Sequence, residues 1–304
     1  MKDSKVHRVK TIAEFHKMKG LPPPQHPLVS LFDYGKFNCS DTVNHKHFVF
    51  EFYHISIKRS IGANYKYGQG NYDFGNGVMF FIAPNQVFGI EPIAELATPK
   101  SGWVLMVHPD FLWNTSLATK IREFEFFDYA VNEALHLSEK EEKMLHEIVG
   151  NIEQEYTGNI DNFTQNIIVS HLETLLNYSE RFYQRQFITN KSRNHKVLER
   201  VEQLLNDYFA DENREGLPTV NYLASRLNLS STYLSSLLKS LTGLNAQQHI
   251  HEKLIEKAKE KLTATDLSVS EIAFQLGFEH SQSFSKLFKA KTNMSPLEFR
   301  VGFN

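Results

Sequence analysis

In the last third of the chain, apolar and polar positions alternate with a helical period, and the pattern occurs twice, about fifty residues apart. Val220 to Asn245 reads VNYLASRLNLSSTYLSSLLKSLTGLN, and Val269 to Ser295 reads VSEIAFQLGFEHSQSFSKLFKAKTNMS. Ala224 corresponds to Ala273 and Leu227 to Leu276. After a one-residue insertion, Leu234 corresponds to Phe284, Leu238 to Phe288 and Lys239 to Lys289. The alanines let two helices approach closely, and the larger apolar pairs fall at i and i+4, on one face of a second helix. Each copy therefore predicts a helix, a tight turn and another helix.

Local end signals mark the same boundaries. Thr219 and Ser268 stand where N-caps are needed, and Ser268 with Glu271 makes a capping box. Gly243 and Asn293 hold the positions after the second helices, which favour a left-handed backbone. Ser295, Pro296 and Glu298 supply N-cap, N1 and N3 of a last helix, and Asn245 with Gln248 opens a parallel one. That helix runs from Asn245 to about Thr263, with Ile250, Leu254, Ala258 and Leu262 at four-residue spacing. At 1.5 Å per residue it spans roughly 28 Å, close to the ~34 Å repeat of B-DNA. Such a rod can hold two reading helices over successive major grooves.

These residues, above all Ile272-Ala273, Gly277-Phe278, Phe284 to Lys289, Ser295-Pro296 and Phe299-Arg300, resemble the DNA-binding domain of AraC/XylS-type transcription regulators. The resemblance covers about residues 195 to 300. It implies two helix-turn-helix units joined by a linker helix, promoter DNA as partner, and RNA polymerase as a further one in activators. Lys253 stands where that family's linker helix often carries Arg, and a lysine cannot make the planar bidentate contact of a guanidinium.

On the second helix of each copy, the residues opposite the apolar stripe are the candidate DNA contacts. They are Thr232, Ser235, Ser236 and Lys239 in the first, and Ser281, Gln282, Ser285, Lys286 and Lys289 in the second. Gln pairs bidentately with adenine, Lys reaches guanine acceptors or phosphate, and hydroxyls read base edges with less discrimination. Each taken alone is equally well a solvated surface residue. From Asn190 onward the chain is only slightly basic and the rest is slightly acidic, so affinity must come from local lysine placement rather than a global field.

The first part of the chain has another texture. Short apolar runs, Leu28 to Phe32, Phe48 to Ile57, Val78 to Ala83, Val87 to Ile90 and Trp103 to His108, are separated by Gly, Asn and Pro, which predicts antiparallel strands in a barrel or sandwich over about 27–110. Ala83 to Val87 and Gly102-Trp103 are similar to cupin-type sensory domains that precede this DNA-binding domain in many AraC-type proteins. That resemblance implies a small-molecule effector, with Phe50, Phe52 and Phe80 as candidate pocket residues; an aromatic core without ligand is the alternative. His45-Lys46-His47 with Glu51 matches half of a metal-cupin pattern, but Phe88 stands where the later histidine belongs. No metal and no cofactor are therefore expected.

Ser138 with Glu141 caps a helix carrying Met144, Leu145, Ile148, Val149 and Ile152. A second helix, from about Asn162 to Phe187, carries Ile168, Leu172, Leu175, Leu176 and Tyr183. The family resemblance implies that this pair is a dimer contact, against which stands a role in the core alone. Ile188 to His195 has almost no apolar content and reads as a linker, followed by a helix from about Lys196 to Phe209.

The expected fold class is thus α+β. A cupin-like antiparallel β-barrel with a helical pair (about 138–187) makes a sensory and dimerisation domain, 1–187. A linker follows at 188–195, then an all-α domain, 196–304, of two helix-turn-helix units joined by a linker helix. With 304 residues the chain has room for two cores. The single cysteine, Cys39, suits a reducing cytoplasm, and no stretch is apolar enough to span a membrane. The reading is a sequence-specific DNA-binding regulator, not an enzyme, acting as a homodimer. A metal-dependent cupin fused to a DNA-binding domain and a ligand-independent regulator are the alternatives.

Overall fold

The computed structural model describes residues 6–36, 47–59, 77–89, 101–130, 133–159, 161–189, 191–211 and 214–302. Cys39 and His45, discussed above, lie outside the described residues. The chain divides into two compact units, Met1–Gln186 and Phe187–Asn304.

In the first unit the apolar runs become strands: β2 (Val29–Asp33), β3 (His47–Phe50), β4 (Tyr53–Arg59), β5 (Val78–Ile82), β6 (Val87–Gly89) and β7 (Ser101–Val107). Sequence periodicity had not separated out β1 (His7–Val9), α1 (Ile12–Met18) or β8 (Leu135–His136). The α1 signal was present, because Thr11 Oγ1 accepts from Glu14 N at 3.1 Å while Lys10 N donates back to the Glu14 carboxylate at 2.8 Å.

The run from Phe48 to Ile57 is two strands, and they join different sheets. β3 lies between β1, which it pairs in parallel, and β6, while β4 sits inside a five-stranded sheet ordered β2-β7-β4-β5-β8. The break falls at Glu51, the one charged residue of the run. Its amide donates to Val9 O at 3.1 Å and its carboxylate meets Arg8 at 3.1 Å. Arg8 also donates to the side chain of Asn85, at 2.8 Å, which turns the β5–β6 connection with φ 66°. Among the described residues the expected barrel is therefore two sheets and not one closed sheet. Gly102 lets β4 and β7 approach closely, for with φ +129° a Cβ there would lie 2.0 Å from Ile57 O.

Aromatic packing fills the space between the sheets. Phe48, Phe50, Phe52, Ile82, Val104 and Met106 share one core with Ile12 and Phe15 of α1. Phe50 and Phe52 stack at 5.0 Å, and Phe15 stands edge-on to Phe50 at 5.4 Å. Two of the three candidate pocket aromatics are thus packed against one another, and Phe80 is buried on β5. Of the half metal pattern, Glu51 is engaged by Arg8, and no group of three or more metal-ligating side chains occurs among the described residues.

His54 is buried on β4 beside this core, and burial, followed by the charge of Lys58, pushes its pKa down to about 3. Burial lowers His16 as well. The unfolded chain takes up these protons near pH 6.5 and the folded one only at each lowered pKa, about 3 for His54, so stability is full above pH 6.5 and falls as pH drops from there toward those values. Each such histidine contributes at most roughly 1.4 kcal/mol per pH unit in that window. The melting midpoint is expected to fall between pH 7 and pH 5, and His54→Leu to flatten the slope; a pH-independent midpoint would contradict the burial.

The helical pair follows. α2 (Leu117–Lys120) is short, α3 (Glu139–Thr157) opens with the expected capping box at Ser138 and Glu141, and α4 (Thr164–Thr189) begins after Asp161 accepts from Phe163 N and Thr164 N at 2.8 and 3.1 Å. Leu145, Val149 and Ile152 of α3 are buried, as are Ile168, Leu172, Leu175, Leu176 and Tyr183 of α4. Leu172 and Leu176 have no exposed surface, so this stripe serves the core and is not available to a second subunit. The described residues of the polar stretch read as a linker are helical too. α4 continues to Thr189 and α5 (Lys191–Ala210) begins five residues before its expected start. Lys and Arg are good helix formers, so polarity alone does not distinguish helix from loop.

Candidate nucleic-acid interface

Both copies of the repeat fold alike. In the first, Thr219 Oγ1 accepts from Tyr222 N and starts α6 (Val220–Leu227), which buries Leu223 and Ala224. In the second, the capping box of Ser268 and Glu271 starts α9 (Val269–Gln275), which buries Ile272 and Ala273. The hydroxyl and amide of Ser268 hold the Glu271 carboxyl below its ordinary pKa. Each turn then closes with the same pair of bonds. Leu229 N donates to Ala224 O at 2.9 Å across Asn228 (φ 55°), and Phe278 N donates to Ala273 O at 3.0 Å across Gly277 (φ 96°). The turn residues Asn228 and Gly277 were missed as such, although the repeat register aligns them and both types tolerate a left-handed backbone.

The second helices are α7 (Ser231–Thr242) and α10 (Ser281–Thr292). They end at Gly243 (φ 80°) and Asn293 (φ 62°), whose amides donate to Lys239 O and Lys289 O, each at 2.9 Å. Ser230 caps α7 through Tyr233 N at 3.2 Å, while His280 stands at the α10 N-cap without a side-chain bond. Leu234 and Leu238, like Phe284 and Phe288, point into one common core.

The candidate contacts divide unequally. On α10, Gln282, Lys286 and Lys289 are exposed and Ser281 and Ser285 half-buried, with Ser283 a further exposed hydroxyl not singled out above. On α7, Lys239 is exposed and Thr232 and Ser235 are half-buried. Ser236 is only 7% exposed and donates to Thr232 O at 3.0 Å, which corrects its expected outward placement. The reason is the width of the buried arc. Tyr233 and Leu237 are buried beside Leu234 and Leu238, and Phe187 stands edge-on to the Tyr233 ring at 5.2 Å. Adjacent leucines at 237 and 238 were the sequence signal for that wider arc. Lys239, Lys286 and Lys289 make no ion pair within 4 Å among the described residues, whereas Lys291 pairs with Glu252 at 3.3 Å.

α8 (Ala246–Ala264) joins the copies. Its capping box at Asn245 and Gln248 and its buried stripe Ile250, Leu254, Ala258 and Leu262 are as expected. Nineteen residues span roughly 28 Å. Leucines of α6 and α7, the α8 stripe, and Ile272, Phe284 and Phe288 form a continuous core, so both second helices are fixed to one body. Arg300, on α11 (Pro296–Val301), ties the far end by donating to Leu262 O at 3.1 Å and Leu267 O at 2.6 Å. Arg214 donates to Gln275 O, and Lys261 reaches the Gln275 side chain at 2.9 Å. Lys253 pairs with Glu256 along its own helix at 2.7 Å.

A family model described as a helix-turn-helix domain matches residues 223–301. The HTH-type transcriptional activator RhaS of Escherichia coli O1:K1 / APEC is 37% identical over 100 residues, covering 32% of this chain and 34% of RhaS. The chain thus spans about a third of the length of the curated relatives it matches. Among solved structures, the C-terminal domain of the two-component response regulator yesN from Fusobacterium nucleatum subsp. nucleatum ATCC 25586 is 32% identical, covering 34% of this chain and 98% of that one, with a TM-score of 0.31. The C-terminal domain of AraT, a response regulator from Geobacillus stearothermophilus, is 29% identical, covering 35% and 84%, with a TM-score of 0.31. The second unit therefore contains a helix-turn-helix domain related in sequence to that of a transcription activator.

Proposed function

We propose that this chain is a sequence-specific DNA-binding transcription regulator of the AraC/XylS type, which activates genes in the cytoplasm by contacting promoter DNA and RNA polymerase. One observation carries the reading: two helix-turn-helix units with the same turn bonds and left-handed helix ends share a continuous core along a 19-residue rod. A generic helical bundle has no need of two such heads. The outward arcs of α7 and α10, through Thr232, Ser235, Lys239, Ser281, Gln282, Ser285, Lys286 and Lys289, read the duplex. The two-sheet unit, in its cupin-like role, passes on the state of a small-molecule effector. An effector acts only if it favours one arrangement of the chain over another.

Selection of bound fragments from genomic DNA by the full chain tests this, and a shared motif spanning two major-groove segments one helical turn apart is expected. With Lys239, Lys286 and Lys289 on phosphates, the affinity should fall about 500-fold for a tenfold rise in salt, since each contact contributes a slope of about −0.9. Recovery of random fragments, or a flat salt titration, would remove the reading.

The regulator works as a homodimer through the exposed start of α4, in place of the buried leucine stripe. Phe163 and Ile167 lie at i and i+4 on that face, and Trp113 sits beside it, where Gln165 donates to its carbonyl at 3.3 Å. Phe163→Asp together with Ile167→Asp is expected to convert the sedimenting species to monomer without a loss of melting temperature. A dimer that survives both changes would place the contact elsewhere.

A further inference from the structure

We propose that the first unit carries a binding site for a small aromatic ammonium ion, in the cavity between the end of α3 and the start of α4. The cavity measures about 280 Å³, just under the ~300–1,000 Å³ usual for ligand pockets. Its wall is apolar and aromatic, made by Leu28, Phe111, Tyr156 and Ile168. Three carboxylates, Asp110, Glu155 and Asp161, stand among its polar lining groups, which include no lysine or arginine.

The polar groups of this lining are not equally available. Asp161 spends one oxygen on the first turn of α4, accepting from Phe163 N and Thr164 N. Asp110 has His108 Nδ1 at 3.4 Å, and Glu155 makes no ion pair within 4 Å among the described residues. His26 also lines the cavity, its ring edge-on to Phe111 at 5.3 Å and its Nδ1 accepting from Leu28 N at 3.1 Å. Burial lowers its pKa, so it adds no positive charge near neutrality. The lining is thus negative over an aromatic wall. An anion is repelled there, while an ammonium gains from Glu155 and Asp110, and its aromatic ring from the apolar wall of Phe111 and Tyr156. The cavity volume suits one ring with a short amine arm.

The position gives the site a consequence. Gln165, also in the lining, donates to Phe111 O at 2.7 Å and to Trp113 O at 3.3 Å, and Phe163 adjoins Thr164 of the lining. A bound cation therefore packs against the same first turn of α4 that carries exposed Ile167 and that exposed Phe163 immediately precedes.

Titration calorimetry and thermal shift on the full chain, with 2-phenylethylammonium and with 3-phenylpropanoate as the anionic control, test the proposal. Saturable binding of the ammonium alone is expected, and Glu155→Lys should weaken it at least ~10-fold, the usual loss for a charge-assisted contact. If that variant does not fold, Asp110→Lys, on an exposed side chain, is read instead. Absence of saturable ammonium binding at millimolar concentration, equal binding of the carboxylate, or unchanged affinity in the folded lysine variant would each overturn it. DNA affinity of the same preparations stays an independent readout.

Discussion

Gly277→Ala is expected to unfold the second unit selectively. At φ 96° an alanine carries the strain of a left-handed backbone, and its Cβ would stand 2.0 Å from Gly216 O, a backbone atom with no rotamer to escape by. Strain of about 1–3 kcal/mol adds to a shift of the loop before α6, which Arg214 also ties to Gln275. A total of about 3 kcal/mol or more is a large share of the 5–15 kcal/mol typical of a domain. The two tryptophans, Trp103 and Trp113, both belong to the first unit. Their fluorescence should therefore unfold at the wild-type denaturant concentration, while the helical circular dichroism signal loses amplitude early. Asn228→Gly, at the matching turn of the first copy, should leave both transitions in place. If Gly277→Ala unfolds like the wild type by circular dichroism, the close approach to Gly216 does not exist in solution.

That contrast shows which features were legible in sequence. The caps at Thr219, Asn245, Ser268 and Ser295 and the left-handed ends at Gly243 and Asn293 rest on interactions between residues at most five apart, so they could be read from short windows. The stripe of α8 followed from period alone. Features set by distant partners could not be read this way. The break at Glu51 depends on Arg8 and on a parallel pairing with β1, more than forty residues away. Whether Phe50 and Phe52 line a cavity or fill a core depended on α1, whose Phe15 packs onto them. Leu172 and Leu176 fitted a dimer face and a core equally well, and only the surrounding sheet and helices decided between them.

The candidate site was legible in its scaffold and less so in its surface. Eight of the nine proposed contacts are half-buried or exposed, and the ninth, Ser236, is covered because α7 buries Tyr233 and Leu237 as well as Leu234 and Leu238. The lost position leaves the first head with two hydroxyls and one lysine. The second head retains an amide, two lysines and several hydroxyls. Base discrimination should therefore be uneven between the two halves of a target.

Gln282→Ala and Lys286→Ala are accordingly expected to lower the preference for a selected site over a scrambled duplex by about tenfold or more each, the 1–3 kcal/mol of a good base contact. Both side chains are exposed, so stability should change by no more than about 0.5 kcal/mol, the usual effect of a surface substitution, and the melting temperature should barely move. Lys289→Ala, near the end of α10, should weaken selected and scrambled duplexes alike and reduce the salt slope by about 1. Ser235→Ala should cost less than either α10 change, because a single hydroxyl discriminates weakly. Ser236→Ala should leave affinity unchanged, since its hydroxyl donates to Thr232 O. Fluorescence anisotropy with both duplexes at two salt concentrations separates these outcomes. A loss of preference in Ser236→Ala with none in Gln282→Ala or Lys286→Ala would mean that the first head reads the bases with α7 rotated from the arrangement described, and the assignment of the second head as the stronger reader would fall.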